Sequence, residues 1–176
     1  MLGSRYLYPY FGGGIGTWAG LISMVLCALA IGYFAGGAVV DRYPSLHVLA
    51  LAIAVAAAYL ALVPPNADLV MSWLLQALGA GPAGILIAAA ALLLMPLSLL
   101  GMLSPIAIRL LIHSTEESGR ISGLVYGIST IGSVFGTLFT TFALIPTLGS
   151  RAITYVYAAV LAASALSLFL VAEKPE

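Results

Sequence analysis

Residues 84–104, GILIAAAALLLMPLSLLGMLS, contain no charged side chain. At about 1.5 Å of rise per residue, a helix of this length covers about 30 Å, which is the thickness of the hydrocarbon core of a bilayer. Similar charge-free stretches lie on both sides, and leucine and alanine in them favour helix over the alternating pattern of a membrane barrel. The sequence therefore predicts an all-α, polytopic transmembrane helical bundle, a single domain over residues 1–176. Its five spans are expected at about 15–40, 46–63, 84–104, 122–145 and 151–171.

The composition agrees with a chain that dissolves in lipid. Of its 176 residues, 62% are hydrophobic and 7% are charged, and six basic side chains balance six acidic ones. A soluble domain carries about 25% charged residues. This balance excludes a disordered chain and a nucleic-acid partner bound through a basic face. The lipid bilayer is the first partner that the sequence predicts.

Turn-forming residues set the expected boundaries of the helices. Pro64-Pro65-Asn66 is expected to end the second span. Residues 69–79 are apolar but too short to cross a bilayer, and with Asp68 as N-cap and Gly79 as stop they predict a short interfacial or re-entrant helix. Residues 1–11 resemble the outer end of a helix whose beginning is missing, a truncated first helix.

The basic residues predict an orientation. If residues 69–79 do not cross, Arg42, Arg109, Arg120 and Lys174 share one side of the membrane, with Arg151 opposite; if they cross, the five residues divide three to two. The positive-inside rule favours the first arrangement. We expect a multi-pass protein of the plasma (inner) membrane with a cytoplasmic C-terminus.

Small residues at four-residue spacing mark the expected packing faces. Lipid tails are as apolar as leucine, so helices in a bilayer associate where small side chains let their backbones approach closely. The simplest arrangement pairs the two glycine-rich helices of this chain with each other, and the alternative is a dimerisation face. The residues concerned are Gly12, Gly16, Gly20, Gly32 and Gly36 in one helix and Gly123, Gly127, Gly132 and Gly136 in the other.

The sequence predicts no enzyme. It shows no catalytic pair, no cofactor-binding loop and no metal-ligand spacing, and Cys27 is its single cysteine. The glycines of residues 12–16 precede a membrane span, whereas a nucleotide loop joins a buried strand to a soluble helix. We therefore expect no catalytic residues, no cofactor and no metal.

Arg5 forms the first candidate site, together with Tyr6, Tyr8 and Tyr10. A charge at the bilayer centre costs about 2.5–3.5 kcal/mol on insertion scales, so such residues are usually paired or functional. We predict an anion or lipid-headgroup contact here; the alternative is an arginine that only extends to the interface.

A second candidate is the loop after the first span. Gly37 precedes Asp41 and Arg42, and the predicted topology brings Arg109 and Arg120 to the same side of the membrane. A carboxylate between helix ends accepts hydrogen bonds from a neighbouring arginine. The pattern predicts a helix clamp, with a conformational gate as the alternative.

The loop Gly36-Gly37-Ala38-Val39-Val40-Asp41-Arg42 resembles the signature between the second and third helices of major facilitator transporters. Most of the chain resembles the membrane domain of the spermidine synthase-like (fused major facilitator/spermidine synthase) family, over about residues 5–151. The strings that carry the resemblance are 9–12 (PYFG), 32–42 (GYFAGGAVVDR), 101–111 (GMLSPIAIRLL), 119–137 (GRISGLVYGISTIGSVFGT) and 145–151 (IPTLGSR).

The resemblance implies a half-major-facilitator fold of six helices or their remnant. Many relatives continue into a soluble aminopropyltransferase-like domain, whereas this chain stops at residue 176, and the family's first helix normally begins earlier. No synthase activity is therefore expected from this polypeptide.

Two functions remain open at this stage. The first is a non-catalytic accessory subunit that anchors or scaffolds a partner protein or a membrane complex. The second is a half-transporter for a small neutral or anionic solute, acting as a dimer with a second copy of itself. A polar cavity at mid-depth would favour transport, and a broad apolar outer face would favour the subunit.

Overall fold

The structure is a computed structural model that describes residues 2–112, 114 and 117–172. Within these ranges the chain forms helices α1 to α8, with a π-helical segment before α7. Their bounds are α1 Leu2–Phe11, α2 Ile15–Arg42, α3 Leu46–Leu78, α4 Pro82–Gly101, α5 Leu103–Leu111, α6 Ser118–Phe139, the π segment Thr140–Leu144, α7 Ile145–Thr147 and α8 Ser150–Ala172.

Among the described residues, five segments are long and apolar enough to cross a membrane, which confirms the predicted all-helical, multi-span architecture. They are Ile15–Arg42, Leu46–Leu78, Pro82–Leu111, Ser118–Thr147 and Ser150–Ala172. The third consists of α4 and α5, and the fourth contains α6, the π segment and α7. The short first helix is also present, as the ten residues of α1.

The prediction of a separate helix over residues 69–79 is wrong. Helix α3 continues through Pro64 and Pro65 and ends only at Leu78. Membrane helices tolerate internal proline, and here the prolines leave only the Leu60 and Ala61 carbonyls, four residues earlier, without a backbone donor. The Asn66 side-chain amide donates to the next carbonyl, that of Leu62, at 2.8 Å. The predicted N-cap Asp68 therefore lies inside a helix. Gly79 does end it, with a positive φ of 70° and its N–H bonded to the Leu75 carbonyl.

Contacts between α3 and α8 identify the two ends of the bundle. The ring of His47 lies against that of Phe169 at one end of the α3–α8 pair, and Asp68 meets Arg151 at the other. We call these the Arg42 end and the Arg151 end. Helix α2 ends at Arg42 and α6 begins shortly after α5, so Arg42, Arg109 and Arg120 share the Arg42 end. Lys174 lies outside the described residues.

Helix α2 packs along α4 and α5 through its glycines. A Cβ atom on Gly20 would lie 2.8 Å from the Ile85 side chain, one on Gly32 would lie 2.9 Å from Gly101 Cα, and one on Gly36 would lie 2.8 Å from Met102 Cα. Helices α2 and α4 therefore run parallel, and their backbones approach closely at Gly32 and Gly101. A side chain at these positions would separate them.

The predicted pairing of the two glycine-rich helices is wrong. At Gly123, Gly127, Gly132 and Gly136 of α6, an added Cβ would meet no described atom within 4 Å. No residue of α6 itself is buried. The partner of the α2 glycines is instead the Gly101 break between α4 and α5, where a second small residue lets the backbones touch. Gly12 also leaves the predicted stripe, because it ends α1 with a φ of 71°.

Replacing Gly32 by alanine tests this packing. We expect Gly32→Ala to lower the free energy of unfolding in detergent micelles by about 1–3 kcal/mol, the usual cost of overpacking a tight interface. Gly37→Ala is the matched control in the same helix, because its Cβ would meet nothing within 4 Å and alanine favours helix. Unfolding followed by circular dichroism that is equal for both variants would contradict the contact.

Candidate functional site

Polar side chains of three helices meet at the Arg151 end. The Tyr6 hydroxyl of α1 lies 2.9 Å from the Thr154 hydroxyl of α8. Thr154 also donates to the Ser150 carbonyl at 2.9 Å, so Tyr6 donates to Thr154. Both side chains are buried. This hydrogen bond joins the short first helix to the last one.

An ion pair lies beside this contact. The Arg151 guanidinium of α8 donates to the Asp68 carboxylate of α3, and the two side chains are 57% and 63% exposed. Exposed pairs of this kind contribute about 0.2–1 kcal/mol. Tyr10, outside the five spanning helices, adds a phenol: desolvation, a hydrogen bond with Asp68 and the charge of that carboxylate raise the pKa of Tyr10. The neutral phenol donates this hydrogen bond to the Asp68 carboxylate.

The four residues predicted as one anion or lipid contact divide between two faces of α1. Tyr6 and Tyr10, four residues apart, turn towards α3 and α8. Arg5 and Tyr8, three residues apart, line a separate cavity of about 510 Å³ with Thr17 and Trp18 of α2. Positions three or four apart share a face of a helix. Helical spacing therefore predicts that Arg5 and Tyr8 lie on one face of α1 and that Tyr6 and Tyr10 lie on another.

The predicted clamp lies at the opposite end, and the structure does not assemble it through ion pairs. Asp41 and Arg42 are exposed at the end of α2, and Arg109 and Arg120 are exposed in α5 and α6. Within the described ranges, Asp41 makes no ion pair with any of the three arginines, and the Asp68–Arg151 pair is the one formed. A Cβ atom on Gly37 would meet nothing within 4 Å. The gate stays a prediction.

The Asp68–Arg151 pair has only a weak signal in the sequence. The predicted topology places both residues at the ends of apolar stretches on the same side of the membrane, but it does not predict that they meet. Their separation of 83 residues hides the contact from any local pattern.

The described residues offer no site for a metal ion. No group of three or more histidine, cysteine or acidic side chains in residues 2–112, 114 and 117–172 lies close enough to hold one. Cys27 is exposed on the outside of α2. At the Arg151 end, the arrangement supports binding of a ligand through hydrogen bonds, the charge of Arg5 and apolar surface.

Comparison of the chain with protein-family models, with curated proteins and with solved structures finds no match.

A double-mutant cycle tests the contact between α1 and α8. Tyr6→Phe and Thr154→Val each remove one hydroxyl, and we expect a coupling free energy of about 0.6 kcal/mol, typical of hydrogen bonds between membrane helices. The measurement is unfolding of the detergent-solubilised chain by increasing sodium dodecyl sulfate. Tyr8→Phe is the control, because this side chain is 66% exposed. Strictly additive effects of the two substitutions would contradict the bond.

Proposed function

We propose that the chain is a non-catalytic membrane subunit that anchors or scaffolds another membrane protein, and that α6 is its binding helix. One observation carries the proposal: the glycines of α6 have no partner among the described residues, and the helix buries none of its own residues. A second membrane helix is the occupant that close-packing glycines favour.

The comparison with α2 supports this choice. Both helices carry glycines at four-residue spacing, and in α2 the backbones of α4 and α5 fill the space beside Gly32 and Gly36. The same space beside Gly123 and Gly127 is open. The helix also exposes large apolar side chains, with Ile131 71% and Phe135 67% accessible. A partner helix would cover both features together.

Contacts within the chain leave α6 accessible from several sides. Its neighbours are α5, which precedes it, and the π segment, which follows it. The buried Thr140 of that segment hydrogen-bonds to Tyr157 of α8, so α6 is attached at both ends and free along its length. Such a helix can dock a partner without disturbing the packing of α2, α3, α4 and α8.

A half-transporter acting as a dimer is the second candidate. Its support is a groove of about 610 Å³ between α6 and the bundle, whose lining includes the hydroxyl-bearing residues Ser133, Thr137 and Tyr157. A second copy packed on α6 would enclose a path there. Asp41 and Glu117 are exposed at helix ends, and Asp68, inside α3, is exposed and paired with Arg151; no described carboxylate lines the groove, which favours a neutral or anionic solute over a polyamine.

The half-major-facilitator arrangement and the spermidine synthase-like family belong to this proposal as well. Their support is the succession of one short and five spanning helices, with the Asp41-Arg42 sequence at the second helix end. The excess of arginine at the Arg42 end supports a cytoplasmic position for that end in the plasma (inner) membrane.

Photo-cross-linking in native membranes tests the binding helix. A photoreactive amino acid at Gly127 is expected to give an adduct with a second polypeptide, and the same group at Leu166 of α8, which is 60% exposed, is the matched lipid-facing control. Mass spectrometry of the adduct separates the two candidates, because a dimer gives twice the mass of the chain. Adducts with lipid alone at both positions would contradict both functions.

Cysteine labelling tests the orientation. In a chain with Cys27→Ser, we expect Gly149→Cys to react with a membrane-impermeant maleimide in intact cells and Tyr43→Cys to react only after lysis. Both positions are exposed and lie at opposite ends of the bundle. The reverse pattern of labelling would place the Arg42 end outside the cell.

A further inference from the structure

The groove beside α6 continues into the cavity beside Arg5. Leu21, Val25 and Leu97 form much of its bundle wall, and Gly136 and Thr137 lie on the α6 side. Ser4 and Trp18 line both this groove and the 510 Å³ cavity at the Arg151 end. The shared residues place the polar cavity beside Arg5 next to the largely apolar groove along α2, α4 and α6.

The mouth carries an unneutralised positive charge. Among the described residues, no carboxylate lies within ion-pair distance of Arg5, and the acid at this end of the bundle, Asp68, is engaged by Arg151. Tyr8 and Trp18 lie beside Arg5 in the cavity. Aromatic side chains of this kind are typical of the headgroup level of a membrane.

The depth of Arg5 fits a headgroup rather than a solute in bulk water. Arg5 precedes the end of α1 at Phe11 by six residues, which is about 9 Å along the helix axis. A flexible side chain at that depth extends to the interface. The apolar part of the space then lies deeper, along α2 and α4, where acyl chains lie.

We propose that an acidic phospholipid occupies this space, with its phosphate at Arg5 and an acyl chain in the groove between α2, α4 and α6. Charge complementarity selects the headgroup, since one basic residue faces the mouth without a counter-ion. The apolar wall of the groove favours a ligand that carries an acyl chain over a free anion. Arg5 and Tyr8 are the contacts to the headgroup, and Tyr6 and Tyr10 are not.

The lipid site uses the Gly136 side of α6 and leaves the Gly123–Gly127 side for a partner protein. On α6, Gly136 lies on the groove side, while Gly127, nine residues earlier, lies two and a half turns away and so on the opposite side. The lipid proposal can therefore fail while the partner proposal holds, and the reverse is also true.

Quenching of Trp18 fluorescence tests the lipid site directly. Trp73→Phe leaves Trp18 as the single tryptophan. The full chain is reconstituted in phosphatidylcholine vesicles that contain a small, equal fraction of either brominated phosphatidylglycerol or brominated phosphatidylcholine. We expect the acidic lipid to bind beside Trp18 about fivefold more strongly, the contribution of one basic residue near anionic lipid.

Variants assign the effect to the two parts of the site. Arg5→Gln is expected to abolish the preference for the acidic lipid, while Arg109→Gln at the other end leaves it unchanged. Gly136→Leu is expected to reduce quenching by both lipids because its side chain enters the groove; the added Cβ itself meets no described atom within 4 Å. Gly119→Leu, at the Arg42 end of the same helix and 17 residues from Gly136, is the matched control, because its Cβ also meets no described atom within 4 Å.

Three results would overturn the proposal. Equal quenching by both lipids, unaffected by Arg5→Gln, would identify ordinary surrounding lipid. Loss of the preference on addition of inorganic phosphate, with no effect of Gly136→Leu, would identify a site for the free anion. Absence of quenching by either lipid would show that acyl chains do not reach the groove.

Discussion

The bundle depends on the close approach of α2 to α4 and α5. Within a bilayer, burying leucine against leucine gains little over leaving it in lipid, so helices need backbone proximity or interhelical hydrogen bonds to associate. Gly32 opposite Gly101 supplies that proximity, and Gly36 continues it along Met102. The Gly101 position, where α4 gives way to α5, is both a helix break and the site of tightest contact.

The other contacts between helices also depend on small residues or on interhelical hydrogen bonds. Helix α3 lies along α8 through alanine, with Ala50 and Ala57 buried in one helix and Ala158 and Ala165 in the other. The tyrosines add hydrogen bonds between helices, from Tyr6 to Thr154 and from Tyr59 to the Ala91 carbonyl. Helix α6 departs from this rule, since its glycines have no partner among the described residues and none of its residues is buried. A binding role for α6 and a lipid in the groove beneath it both follow from this departure.

Sequence reasoning predicted what depends on length and charge. The five spans follow from charge-free stretches longer than the bilayer is thick, and Gly79 and Pro82 correctly separate α3 from α4. The extension of α3 past Pro64 was not predictable from local turn preferences, because those preferences are measured in water, where proline ends helices. In a membrane helix, no water competes for the backbone groups.

Which helices pair was also beyond the sequence. Four-residue spacing of glycine indicates that a helix packs closely, but not against which neighbour, and Gly101 is a single glycine in a leucine-rich stretch. The candidate site was predicted in part: Arg5 and Tyr8 do share a cavity, while Tyr6 and Tyr10 belong to the contact with α3 and α8. Asp68 and Arg151 required the three-dimensional arrangement.

An oxygen-accessibility scan with nitroxide labels along α2 and α6 of the purified monomer tests the central claim most directly. The account predicts strongly protected positions every three to four residues in α2 and no position of comparable protection in α6, whose residues are all exposed or half-buried. Protection in α6 as strong and as periodic as in α2 would contradict the account.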